Sequence, residues 1–215
     1  VLPKLNSNPV RDDEMIIDNM NMIFPIHMLI YWTMVSLYDE KDHADFFVAA
    51  SNSLKNQLLY TLPLSQILTS YYPNETLGLL PSLFLLPVFT VTGDIYFYIT
   101  HRPLHTKLLW NYHKTHHRGR LCVAKSLDAD FPEHVIGNLG SFVIGVSLCY
   151  YIGLVPHLYS LYLWTAIATM NTCVSHSNGN APGDTKDHLR HHSHLNCNYG
   201  FGLYLVDSVM GTYRQ

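Results

Sequence analysis

Residues 135–183 contain no Asp, Glu, Lys or Arg, and no other feature limits the fold as much. A helix crossing the hydrocarbon core of a bilayer needs roughly 20 mostly apolar residues, so this run has room for two. The break Gly153-Leu154-Val155-Pro156 marks a turn. It divides the run into residues 135–151 and 157–175, a helical hairpin. Three further charge-free windows, 19–38, 56–74 and 76–93, can each hold one span. The second of these, with Gln57, Ser65, Gln66 and Ser70, fits a buried or interfacial helix nearly as well. Many of the 15 Tyr and 3 Trp lie near window edges, among them Tyr31, Trp32, Tyr71, Tyr72, Tyr96, Tyr98 and Trp110, as an interfacial belt requires.

Only 13% of the 215 residues are charged, about half the ~25% usual in soluble domains, which excludes intrinsic disorder. A net charge of −3 gives no basic field for gathering phosphates, so nucleic acid is excluded as a partner. Residues 1–15 hold Pro3, Pro9, Asp12, Asp13 and Glu14 and lack the apolar stretch of a signal peptide. The absence of an initiating Met is expected of a fragment or a processed form. Cys122, Cys149, Cys173 and Cys197 form no C-x-x-C pair and read as reduced packing residues.

Histidine is in excess: its 14 copies outnumber the 13 Lys and Arg. Nine fall in two short stretches, His101, His105, His113, His116 and His117, then His188, His191, His192 and His194. Residues at i, i+3 and i+4 share a helix face. His101 with His105, and the two H-x-x-H-H triplets 113/116/117 and 188/191/192, are therefore expected to aim imidazoles at common points, with Pro103 ending or kinking the helix across the first pair. Eight such donors exceed one tetrahedral site and suffice for two metals with open positions. Imidazole suits Zn, Cu, Fe and Ni alike, and a metal-buffering or pH-sensing cluster is the alternative. If both stretches build one centre, the run between them crosses the membrane an even number of times. Arg102, Lys107, Lys114, Arg118, Arg120, Lys125, Lys186, Arg190 and Arg214 make nine of the 13 cations on that side, which the positive-inside rule assigns to the cytosol.

The stretch from Asp94 through His101-Arg-Pro-Leu-His105, then His113-Lys-Thr-His116-His117, then His188-Leu-Arg-His191-His192 to Asn198-Tyr-Gly200, closing at Asp207 to Tyr213, resembles the fatty acid hydroxylase/sterol desaturase superfamily. The resemblance covers about residues 93–214. It implies an all-α, multi-pass membrane helical bundle with a cytosolic, histidine-rich di-metal cap, an N-terminal region over 1–93 and a catalytic region over 94–215. It also implies an endoplasmic-reticulum oxidoreductase that uses O2 and two iron ions to hydroxylate or desaturate a sterol or fatty acyl lipid. Electrons would come from cytochrome b5 or a reductase. The metal ligands carry over to His101, His105, His113, His116, His117, His188, His191 and His192. His176 in Ser175-His176-Ser177-Asn178-Gly179 resembles a further ligand, with an inserted Asn. The terminal Asn196-Cys-Asn-Tyr-Gly element leans toward the sterol-acting branch.

At Asp130-Phe-Pro-Glu133-His134 many relatives read H-P-x-E; here the acidic residue matches at Glu133 and Asp130 stands at the histidine position. Asp94, Glu133 and Asp187 are candidates to orient ligand imidazoles from behind. His194 is expected to serve packing or support, and the isolated His27, His43 and His157 local hydrogen bonds. Phe84, Leu85, Phe89, Phe142 and Tyr162 are candidate lining for a lipid cavity beneath the metals. Two other classes remain open on the residues alone. A metal transporter needs ligands within its spans. A zinc hydrolase needs a carboxylate base, for which Glu133 is the candidate.

Overall fold

The computed structural model describes residues 22–42, 44–183 and 186–215; residues 1–15, the start of the first window and His43 lie outside them. Described residues form helices and turns without strands. In chain order the α-helices are α1 (Ile23–Tyr38), α2 (Ala44–Asn56), α3 (Leu62–Ser70), α4 (Leu79–Leu83), α5 (Leu86–His101), α6 (Lys114–His117), α7 (Gly140–Tyr151), α8 (Leu158–Ser175), α9 (Lys186–His194) and α10 (Leu205–Met210). Two π-helical stretches, Gln57–Thr61 and Glu133–Leu139, lead into α3 and α7.

Among the described residues two helices are long and apolar enough to cross a membrane, Leu79–His105 and Glu133–Tyr151. This is fewer than the charge-free windows suggest. The 76–93 window is the front of a longer helix that runs on to carry His101 and His105. The 56–74 window gives no such span, because its helical part ends at Ser70 and holds Asn56, Gln57, Thr61, Ser65, Gln66, Thr69 and Ser70, which lower its apolarity. Inside it Gln57 and Ser65 are buried, as a buried helix requires. Helix α1 is apolar but only 16 residues long. Helix α8 has 18 residues, several of them Ser and Thr turned inward, which lowers its apolarity.

Two helices cover the run 135–175, with Gly153 at φ +81° in the turn between them and the His157 side chain accepting from the Tyr159 amide at the start of α8. The arms of this pair splay, however. Helix α7 packs mainly against α5, and α8 mainly against α1. The α5–α7 approach is close because Gly145 has no side chain; a Cβ there would stand 2.7 Å from the Phe89 Cα. Two apolar cores hold the frame. One joins Tyr31, Val35, Phe46 and Ala49 to Cys122, Val123, Ala124, Leu127 and Cys173. The other joins Leu85, Phe89, Cys149, Leu161, Trp164 and Ala168. All four cysteines are free and buried.

Between the splayed arms lies a cavity of about 460 Å³. Phe24, Leu68, Phe97, Phe142 and Val143 give it apolar walls, and His116, Glu133, His176 and His188 also line it. Of the five residues proposed above as lining, Phe142 alone is in its wall. Phe89 and Leu85 turn into the second core, Phe84 is exposed, and Tyr162 packs on Tyr159. A charge-free window does not reveal helix rotation, and here rotation decides which side chains face inward.

Candidate metal centre

Nine histidines meet in two groups. One ring nitrogen from each of His101, His105, His113, His117 and His191 lies within 4.8 Å of the others, and the same holds for His116, His176, His188 and His192. Helix α5 ends at His101 and tightens into a 3₁₀ turn over Arg102–His105, so Pro103 ends the α-helix as expected. Helix α6 is one turn long and presents His116 and His117; His113 precedes it. His176 directly follows the last turn of α8, and α9 supplies the last three.

The triplets do not each serve one point, which corrects the expectation of a shared face. His113 and His117 join one group while His116 joins the other, and His188 and His192 join one group while His191 crosses over. Adjacent helical residues are about 100° apart, so each H-H pair necessarily points to different sides. This ties the two groups into one centre through both boxes. Within it His117 Nε2 lies 2.8 Å from His113 Nε2, which is 3.0 Å from the Nε2 atoms of both His101 and His105. In the other group His176 Nε2 is 3.2 Å from His116 Nε2 and 3.0 Å from His188 Nε2, and His192 Nε2 is 3.1 Å from His188 Nε2.

Backbone carbonyls fix the tautomers of three of these rings. His101 Nδ1 donates to Tyr199 O at 3.0 Å, His191 Nδ1 to Cys197 O at 2.8 Å and His176 Nδ1 to Thr172 O at 2.9 Å. A carbonyl only accepts, so a neutral ring held this way carries a lone pair at Nε2. The His191 Nε2 atom is buried and has no protein partner. Burial, with neighbouring imidazoles, keeps the rings neutral: His113 is pushed down to about 2, His176 and His191 to about 4, and His116, His188 and His192 well below the ordinary value. Neutral imidazole is the metal-ligating form. Converging lone pairs repel one another unless a cation sits among them, so the donor set is compatible with metal binding.

Of the three carboxylates named as supports, Glu133 alone reaches a ligand ring. Its Oε2 lies 2.8 Å from His113 Nδ1. Asp94 instead accepts the amides of Phe201, Leu203, Tyr204 and Leu205, and Asp187 accepts the Tyr213 hydroxyl. Asp207 accepts the Tyr199 and Gly200 amides and the Thr212 hydroxyl. Asp94 and Asp207 thus shape the loop whose Tyr199 carbonyl holds His101. Sequence reasoning gave Asp207 no role beyond closing the resembling stretch and did not find these carbonyls. Asp130 contributes its carbonyl to the His134 amide, and His134 Nε2 pairs with Thr61 Oγ1 at 3.1 Å, outside both groups. His194 is exposed and bonds the Arg190 carbonyl.

A fatty acid hydroxylase family model matches residues 86–212. The chain belongs to the fatty acid hydroxylase family. Among curated relatives, Fatty acid hydroxylase domain-containing protein 2 of Macaca fascicularis is 29% identical over 130 residues, 59% of this chain and 38% of the relative. Its Homo sapiens counterpart matches to the same extent. Very-long-chain aldehyde decarbonylase GL1-11 of Oryza sativa subsp. indica is 27% identical over 136 residues, 57% of this chain and 49% of the relative. The match thus spans less than half of each relative. No solved structure matches the chain. The matched segment contains all nine clustered histidines.

Proposed function

We propose that the protein is a multi-pass membrane enzyme of the endoplasmic reticulum that uses O2 to hydroxylate or desaturate a sterol or fatty acyl lipid at a di-iron centre facing the cytosol. The observation that carries this reading is the two-group assembly of nine imidazoles, three of which, His116, His176 and His188, line an apolar cavity. His101, His105, His113, His117 and His191 would hold one ion, and His116, His176, His188 and His192 the other. Two bound irons supply the oxidising power to break an unactivated C–H bond with O2, which no side chain provides. The chain's own part is to position and to exclude water. The Tyr199, Cys197 and Thr172 carbonyls orient three rings, Glu133 supports His113, and the apolar walls align a lipid chain toward His116, His176 and His188. Two electrons per turnover come from a separate carrier such as cytochrome b5 or a reductase.

Outward-facing Leu80, Phe84, Ile99, Ile136 and Tyr151 on the two apolar helices support membrane embedding. The positions of the nine cations named above support a cytosolic centre. Two observations weigh against the other classes. A hydrolase would need Glu133 beside a bound water, yet its carboxylate lies against the Nδ1 side of His113. A transporter would need ligands strung along its spans, whereas these imidazoles gather where helices end.

The test is anaerobic purification with iron loading, then lipid profiling after adding O2 and reductant. Oxygenated or newly unsaturated lipid is expected from the native chain and none from His116→Ala. Lipid turnover that proceeds equally under argon would contradict the reading.

A further inference from the structure

Away from the histidine groups, four polar side chains from three parts of the fold form a single file ending in the cavity. Trp32 Nε1 donates to Gln57 Oε1 at 3.0 Å. Gln57 Nε2 lies 3.1 Å from His27 Nε2, and His27 Nδ1 lies 3.0 Å from Thr169 Oγ1. The indole N–H is donor-only, and this fixes the direction of every later bond. Because Gln57 accepts through its oxygen, its amide nitrogen faces His27 and must donate. His27 therefore accepts at Nε2, carries its proton at Nδ1 and donates to Thr169.

That leaves the Thr169 hydroxyl with its acceptor side engaged and its proton unassigned. On the same helix Thr165 donates to Leu161 O and Thr172 to Ala168 O, each four residues back. Thr169 makes no such bond among the described residues, although it is 7% exposed and lines the cavity together with His27. A buried hydroxyl without an acceptor is costly, by about 1–3 kcal/mol in general.

We infer that Thr169 is a ligand-anchoring donor, and that the cavity takes an apolar lipid bearing an acceptor oxygen, as a hydroxyl, ether or carbonyl, at this point along its length. The inference rests on the cavity being the lipid site of the function proposed above. Thr169 and His176 are seven residues apart on the same helical path, ~10 Å between backbone positions at 1.5 Å per residue. An anchored lipid would thus meet the histidines several carbons from its oxygen.

The probes are a long-chain primary alcohol, its methyl ether and the matching alkane, bound to the metal-loaded, detergent-solubilised protein and followed by equilibrium competition. Alcohol and ether should both bind about tenfold more tightly than alkane, about 1.4 kcal/mol, because the protein donates and the ligand need only accept. Thr169→Val should remove that preference, and Thr169→Ser should retain it. Trp32→Phe should weaken it by releasing the direction of the file. Equal binding of ether and alkane by the native chain, or an unchanged preference in Thr169→Val, would overturn the inference. These outcomes are separable from the enzyme reading: O2-dependent lipid oxidation without ether preference defeats only the anchor, and ether preference without any lipid oxidation defeats only the proposed activity.

Discussion

At the scale of single residues, the centre depends on what stands behind each imidazole as much as on the imidazole itself. Glu133 is 4% exposed and touches His113 at its outer nitrogen. Loss of such a supporting carboxylate typically weakens metal affinity 10–100-fold. Glu133→Gln is therefore expected to keep the fold and to lose metal to a chelator at 10–100-fold lower concentration; an unchanged chelator midpoint would show that Glu133 is not a support. The clustering of the histidines was legible in the sequence because metal chemistry demands one residue type at helical spacing. His176 was legible through resemblance alone. The carbonyls of Cys197 and Tyr199 were not, since every residue has a carbonyl and only the folded loop decides which one faces a ring.

At the scale of elements, the close contact of α5 with α7 sets Phe97, one turn before His101, in the cavity wall with Phe142 and Val143. Gly145 permits it, since a Cβ at that position would meet the Phe89 Cα at 2.7 Å and the Thr92 Oγ1 at 2.5 Å. Backbone cannot yield as a flexible side chain does. Gly145→Val is expected to lower stability by about 1–3 kcal/mol, the usual cost of overpacking, seen as a lower melting temperature in detergent; an unchanged melting temperature would mean that the helices separate freely. The helix pair and its turn were legible from the absence of charge and from Gly153. The splay of its arms was not, because Ser160, Thr165 and Thr169 look equally suited to a helix pair in contact and to the wall of a cavity. The same ambiguity sent Phe84 and Phe89 to the wrong surroundings.

At the scale of the whole molecule, the apolar frame and the buried imidazoles it holds make a structure that is sensitive to acid. The folded state holds His113, His116, His176, His188, His191 and His192 neutral below their ordinary value of 6.5. The unfolded chain takes up protons near 6.5 and the folded one does not, so stability is full above that pH and declines as pH falls from there toward about 4, where His176 and His191 protonate in the fold. Metal-free protein should accordingly melt at progressively lower temperature between pH 6.5 and 4, and a flat profile over that range would contradict the burial of these rings as neutral bases. Bound metal stabilises the folded state by mass action, so loading should raise the melting temperature near neutral pH.

The central claim is that both histidine boxes, with His176, close around one pair of ions. X-ray absorption and metal analysis of anaerobically iron-loaded protein test it most directly. The account predicts two irons per chain in shells dominated by imidazole nitrogen, with His116→Ala reducing the content to about one by dismantling only the four-histidine group. A single iron per chain in the native protein, or a His116→Ala variant that keeps both with unchanged shells, would contradict it.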